Sequence, residues 1–280
     1  MLDINDNVLA DINRGFFVPA QPKLLIKLQQ LMTANEPDLN KIATTISQDV
    51  SVAATVLKTI NSPVYGLSRT ISDIHKSVRY IGLDGVVSLV TYTLIKSSFK
   101  QADCNIALEE FWDNATNIAN VCVEIGNTLK QAVSKDTLFS LGLFHDCGVP
   151  AMAMKYENYN DIYTLSNDKK ASSLIEIEEK HYHVNHAIIG YYVASSWRLP
   201  KEICQLILSH HDRNFLREEN SRIQKFYFSI LKMAENIVYY RKNQRDSADW
   251  PIMRNAIFKQ LDISNDDYQM YLEEMAELQA

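Results

Sequence analysis

The sequence predicts an all-α protein, and three features of it do so. Glycine and proline are scarce, 8 and 7 in 280 residues, so turns are few and segments long. Between those breaks the apolar residues recur at spacings of three and four, the period of a single helix face. Runs of alternating polarity bounded by turn dipeptides, the mark of strands, are missing.

Taken in chain order, Leu24, Leu25, Leu28 and Leu31 form a first stripe, and Ile42, Ile46, Ala53, Val56, Leu57 and Ile60 form others. "NSP" at Asn61–Ser62–Pro63 should end the helix before it, because Pro63 has no amide proton and restricts its predecessor. Gly82, between "DIHKSVRYI" and "LDGVVSLVTYTLI", is placed to turn one helix into the next. Val86, Val87, Val90 and Leu94 continue the pattern. The polar stretch "SSFKQADCNIALEE" (Ser97 to Glu110) carries no clear apolar face and reads as a connector. It divides the chain into an N-terminal helical lobe, residues 14–100, and a second helical lobe, residues 110–280. Beyond it lie Ile118, Val121, Cys122, Ile125 and Leu129, then the apolar run from Leu138 to Met152. Further stripes follow at Ile188, Ile189, Tyr192 and Val193, and at Ile203, Ile207 and Leu208. The last segment, "WPIMRNAIFKQLDISNDDYQMYLEEMAELQA", should form two helices parted near "LDISNDD". Ser264 is the cap of the second and Asp267 stands three residues on. Ile257, Phe258 and Leu261 are expected to pack on the second lobe.

Composition narrows the function. The chain is 46% hydrophobic and 22% charged, ordinary for a globular protein, and its net charge of −6 offers no overall positive field to nucleic acid or anionic membrane. No apolar stretch reaches the roughly 20 residues of a membrane helix, and the acidic start lacks the features of a signal peptide. Four scattered cysteines, Cys104, Cys122, Cys147 and Cys204, form no CxxC pair, as in a reducing compartment. A cytoplasmic protein is expected.

Six of the seven histidines fall after Phe111. His145 and Asp146 end an apolar run, His181, His183 and His186 follow, and His210, His211 and Asp212 close the set. A metal hydrolase needs several imidazoles and carboxylates converging from different helices, with one position left open for water. His183 and His186, three apart, are expected to share a helix face. No single run supplies a zinc pattern such as HExxH. Taken one at a time, these histidines read as buried groups making ordinary hydrogen bonds. Tyr156, Tyr159, Tyr163, Tyr182, Tyr191, Tyr192, Tyr239 and Tyr240 crowd the second lobe, where such rings fill a core or line a ligand pocket.

The pieces "FFVPAQPKLLIKL", "IATTISQDVSVAATVLKTINSPVYG", "ISDIHKSVRYIGLDGVVSLV", "FWDNATNIANVCVEIG", "LFSLGLFHDCGVPAM" and "HAIIGYYVASSWRLPKEICQLILSHH" together resemble the HDOD domain family. This family is the non-catalytic relative of the HD-superfamily phosphohydrolases in bacterial signalling proteins. The resemblance covers about Phe16 to Asp212 and implies a two-lobed helical module used as a regulatory or output domain. It also implies a site. The first metal-binding histidine of the catalytic enzymes is matched by Asn114 or a near neighbour, and Asn is a poor donor to a transition ion. His145 and Asp146 match the paired ligands, and His186 with His210 or His211 the later histidines. Glu235 stands where a closing aspartate is expected.

The reading is therefore a bacterial regulatory binding module with a vestigial site and no catalytic residue. No cofactor and no metal are expected; an ion, if present, would use His145, Asp146, His186 and His210. A protein partner of a signalling pathway or a nucleotide-like effector would bind between the lobes, with no membrane and no nucleic acid as partner. A metal-dependent phosphohydrolase acting on a nucleotide or cyclic dinucleotide is the alternative. A weaker one is a nucleic-acid-binding regulator using residues 58–100, where Lys58, Arg69, Lys76, Arg79, Lys96 and Lys100 outnumber Asp73 and Asp84.

Overall fold

Among residues 15–62, 67–165 and 173–277, which the computed structural model describes, all regular structure is helical. The first half holds α1 (Lys23–Met32), α2 (Leu39–Ser47), α3 (Val50–Ile60), α4 (Ile74–Ile81) and α5 (Leu83–Ser98). Aspartates start three of these helices. The Asp38 carboxylate accepts from the Asn40 amide at 2.9 Å, Asp49 from Val52 at 3.0 Å and Asp73 from His75 at 2.6 Å. A cap of this kind contributes about 1 kcal/mol.

The apolar stripes are the buried faces. Leu25, Leu28, Ile42, Ile46, Val56 and Ile60 are fully enclosed, with Leu24, Leu31, Ala53 and Leu57 half-buried at their edges. α3 stops at Ile60, where Asn61 ties the following turn by donating to the carbonyls of Leu57 and Ile71. Pro63, expected to make that stop, lies outside the described residues, as does the acidic N-terminus. Gly82 turns α4 into α5 through 117°, with a φ of 83°. A β-carbon there would meet nothing within 4 Å, so glycine is required by the backbone conformation alone. The basic residues of the 58–100 stretch are spread over α3, α4, α5 and the loops beside them, not gathered on one helix.

The connector is more buried than its sequence indicates. It contains a short 3₁₀ turn, Gln101–Asp103, and encloses Phe99, Cys104 and Ile106. Gln101 holds the turn by donating to the Ile106 carbonyl at 2.8 Å and accepting from the Leu108 amide at 2.9 Å. Its apolar residues are not at helical spacing, so they form no stripe, yet an irregular backbone with its polar groups satisfied can still bury them.

The second half follows as α6 (Leu108–Thr128), α7 (Lys135–Phe144), α8 (Val149–Lys155), α9 (Tyr159–Leu165), α10 (Leu174–Tyr182), α11 (His186–Ser196), α12 (Lys201–Ser209), α13 (Arg222–Asn243), α14 (Trp250–Leu261) and α15 (Asn265–Glu277). α7 is buried on every side from Leu138 to Phe144, packed by α5, α6, α12 and α13. A helix apolar all round belongs in the interior, and its C-terminal end delivers His145 and Asp146 to the middle of the protein. One hydrophobic cluster runs through both halves. Hydrogen bonds stitch them: the Trp197 indole donates to the Pro19 carbonyl at 2.6 Å, Gln29 to the Trp197 carbonyl at 2.9 Å, and the Tyr92 hydroxyl to the Trp112 carbonyl at 2.9 Å.

The C-terminal segment forms two helices, with Ser264 and Asp267 bonded reciprocally at the start of α15. Trp250, Met253, Ile257 and Leu261 are buried, Phe258 lies at their edge, and Tyr268 accepts from Asn236 of α13 at 2.8 Å. Among the described residues no single helix is long and apolar enough to cross a membrane.

Candidate functional site

Three breaks in the helices, with the middle of α13, bring the site together. His145 closes α7 and its Nδ1 lies 2.8 Å from the Gly142 carbonyl. Asp146 follows in the turn to α8, and Gly148 lets α8 approach α11: a β-carbon on Gly148 would sit 2.1 Å from the His186 carbonyl. His186 opens α11 behind the cap Asn185, whose side chain accepts from the Ile188 amide at 3.0 Å. His210 ends α12 with its Nδ1 2.6 Å from the Ile207 carbonyl, and His211 comes next. Glu235 projects from the middle of α13.

Asp146 is the hub. Its Oδ2 lies 3.2 Å from His145 Nε2, and its Oδ1 lies 3.3 Å from His186 Nε2 and 3.2 Å from His210 Nε2. His211 Nε2 stands 3.1 Å from His186 Nε2. One donor atom each from Asp146, His186, His210 and His211 lies within 4.8 Å of the others. The sequence reading placed His145 in any such set; the structure puts His211 there. His145 faces the other oxygen of Asp146, with Glu235 Oε1 at 3.9 Å.

The hydrogen bonds decide the tautomers. A carbonyl can only accept, so His145 and His210 carry their protons on Nδ1, and when neutral they turn an Nε2 lone pair toward a carboxylate. Lone pairs facing a carboxylate need positive charge between them, supplied by protons or by an ion. Burial pushes His186 down, but Glu178 and Asp146 more than reverse this and hold it up at about 10. His186 is thus an imidazolium, bonded to Glu178 Oε2 through Nδ1 at 2.7 Å and facing Asp146 through Nε2. Burial would raise Asp146, yet the surrounding imidazoles keep it well below the usual carboxylate range. His211 is held far below its ordinary value, by burial first and then by the charges of His210 and Lys232.

This donor set suits a divalent transition ion: imidazole and carboxylate are its usual ligands, and a backbone or carboxylate acceptor on the far ring nitrogen is the usual way such ligands are oriented. His186 would have to give up its Nε2 proton to join. Asn114, expected at the position of a further ligand, offers an amide, a poor donor to such an ion. Asn114, His145, Asp146, His211 and Glu235 all line one cavity of about 390 Å³, walled by Tyr163, Tyr239, Asn160 and Asn243. His186 and His210 are fully buried behind Asp146. All of the cavity's lining residues come from Ile106 onward, so it lies within the second half and not between the halves. Between them is a separate hollow of about 350 Å³, lined by Gln29, Met32 and Val87 on one side and Trp197, Leu199 and Pro200 on the other.

Two expectations are corrected. His183 does not share a face with His186, because α10 ends at Tyr182 and α11 begins anew behind Asn185; His183 occupies the left-handed cap between them, exposed. His181 is exposed too, and Asp212 caps a turn by accepting from the Asn214 amide. Three charged side chains around the cluster are not singled out by the sequence pattern. Glu178, fully buried, accepts from the Tyr159 hydroxyl and from both His186 Nδ1 and the His186 amide. Lys232 is buried beside Glu235, and Asp249 faces His211 while accepting two bonds from Arg213 at 3.0 and 2.6 Å. A lysine inside the apolar run "YFSILKMAEN" was a readable signal; Glu178, one of three glutamates in "EIEEKHY", looked like part of a solvated face.

The sequence model of the HDOD domain matches residues 18–213. An uncharacterised protein of Treponema pallidum (strain Nichols) is 25% identical over 203 residues, 72% of this chain and 39% of that protein, so the chain spans about two fifths of that relative's length. Among solved structures, an HDOD domain protein of unknown function from Geobacter sulfurreducens superposes with a TM-score of 0.68 at 19% identity, covering 96% of each chain. A candidate phosphohydrolase from Shewanella amazonensis SB2B gives 0.70 at 18% identity, over 97% of this chain and 94% of its own. A candidate signal transduction protein from Marinobacter aquaeolei VT8 gives 0.70 at 16%, over 97% of this chain and 62% of its own.

Proposed function

The chain belongs to the HDOD domain family, and from that premise we propose that it is a regulatory binding module of a bacterial signalling pathway, acting in the cytoplasm, with an HD-type site that binds without hydrolysing. The observation that carries this reading is the cavity over the HD residues. Its size falls in the range of small-ligand pockets, about 300–1,000 Å³, and it offers aromatic faces and amides beside the imidazole cluster. Tyr163 and Tyr239 would stack on a planar ring, and Asn114, Asn160 and Asn243 would bond its edges, the chemistry of a nucleotide-like effector.

Hydrolysis is what the site is ill-equipped for. A two-ion displacement clamps both the attacking and the leaving oxygen, and here one half of the clamp has Asn114 where an imidazole is needed. An ion held by Asp146, His186, His210 and His211 would act as a Lewis acid toward a phosphate oxygen and help to anchor the effector. The division into an N-terminal lobe (14–100) and an HD-like lobe (110–280) fits a regulator in which the second lobe senses the effector. A protein partner then meets the surface where the two halves join.

The test is a thermal-shift and calorimetric titration of mononucleotides and cyclic dinucleotides, with and without manganese. Binding should be weakened about tenfold or more by Tyr239→Ala, since base–aromatic stacking is worth about 1–3 kcal/mol. An affinity that Tyr239→Ala leaves untouched would remove the cavity from this account. The phosphohydrolase reading is favoured by one feature, the four convergent donors. Turnover that depends on Asp146 would establish it.

A further inference from the structure

Lys232 is buried on α13, 6% exposed, within the site but outside its ring of imidazoles. Its ammonium donates to Glu235 Oε2, one turn further along the same helix. It also bears on two neighbours across the site, helping to hold His211 neutral and Asp249 ionised. The other Glu235 oxygen, Oε1, is buried without a hydrogen-bond partner among the described residues and points past His145 Nε2. An ammonium is not buried in a helical core without opposing charge, so its place must be explained by the carboxylates it faces.

We propose that Lys232 is a built-in cation, standing in for one ion of a two-ion site: it commits Glu235 to an ion pair and leaves only Asp146, His186, His210 and His211 for an exchangeable metal. This deepens the reading of the site as non-hydrolytic. Two oxygen-and-imidazole half-sites share Asp146, one through Oδ1 toward His186 and His210, the other through Oδ2 toward His145 and Glu235. The ammonium repels a divalent ion from the second half and occupies its carboxylate. An amide at Asn114 weakens that half-site, and the Lys232 ammonium is what closes it to an ion.

The experiment counts manganese ions on the full chain, by calorimetry and by elemental analysis after desalting. Lys232→Met should add a second manganese ion per chain, or tighten manganese binding by about tenfold or more, the size of effect that follows changes around a metal site. Lys232→Arg, which keeps the charge, should behave as wild type. If folded Lys232→Met binds manganese with the wild-type number and affinity, or binds none, the proposal fails. It fails equally if wild type holds two ions. Should Lys232→Met unfold without metal, manganese must raise its melting temperature more than that of wild type; no such rise overturns the proposal. These readouts count ions, so they stand or fall apart from the effector titration and from any turnover.

Discussion

Replacing Glu178 by glutamine keeps the shape of the buried contact and removes its charge. Tyr159 and His186 bond different oxygens of Glu178, so the glutamine carbonyl can still accept from His186 while its amide turns to the Tyr159 hydroxyl oxygen; what is lost is the anion opposite the imidazolium and the acceptor for the Tyr159 proton. Moving an imidazole from 6.5 to about 10 corresponds to about 5 kcal/mol of preference for the charged form. Glu178 and Asp146 share that, and assigning about half to Glu178 predicts a destabilisation of about 2–3 kcal/mol. For a chain of this size the melting temperature should fall by about 5–10 °C. The pH dependence has a definite sign. The folded value lies above the unfolded one, so the stabilisation is fully present below about pH 6.5 and is lost as pH rises toward 10. Urea denaturation in chelator, to keep the imidazoles metal-free, should therefore show a wild-type advantage over Glu178→Gln that is largest at about pH 6.5 and shrinks with alkalinity. Equal stability of the two proteins at pH 6.5, or a gap that widens toward pH 10, would refute the reasoning.

Asp146→Ala strands three imidazoles around a half-buried hub and should cost about 2–4 kcal/mol by chemical denaturation, with no catalytic rate to lose. Gly82→Ala forces a side chain into the left-handed region in open space, for a loss of about 1–2 kcal/mol and no change in ligand affinity. Removing residues 250–280 strips Trp250, Ile257, Leu261 and Tyr268 from the face of α13, and the melting temperature should drop by several degrees; an unchanged melt would mean that this packing is not stabilising.

The helices were legible because each buries one face, and burial of a face leaves a period in the sequence. Leu25 and Leu28, or Val56 and Ile60, announce their partners by spacing alone. Phe99 and Ile106 do not, since an irregular segment buries side chains without a period, and the connector was read as more exposed than it is. The chemistry divides in the same way. His145, Asp146, His186 and His210 stand out as residue types at the ends of apolar runs, whereas the choice of His211 over His145 in the four-donor group depends on rotamers at two helix ends. His183 misled because three-residue spacing implies a shared face only if the helix continues, and Asn185 restarts it. Glu178 is hidden because its partners, the Tyr159 hydroxyl and the start of α11, reach it only through the fold. Lys232 stands out as a lysine in an apolar run with Glu235 one turn on, but the sequence does not show that both face the site.

The central claim, a site that binds without hydrolysing, is tested most directly by turnover. Wild-type protein loaded with manganese or iron is incubated with a cyclic dinucleotide, a nucleoside triphosphate and an activated phosphodiester, beside Asp146→Ala whose fold is verified by circular dichroism. The account predicts product formation no faster than in buffer for both proteins. Hydrolysis by wild type that disappears in folded Asp146→Ala would contradict it and establish a metal-dependent phosphohydrolase.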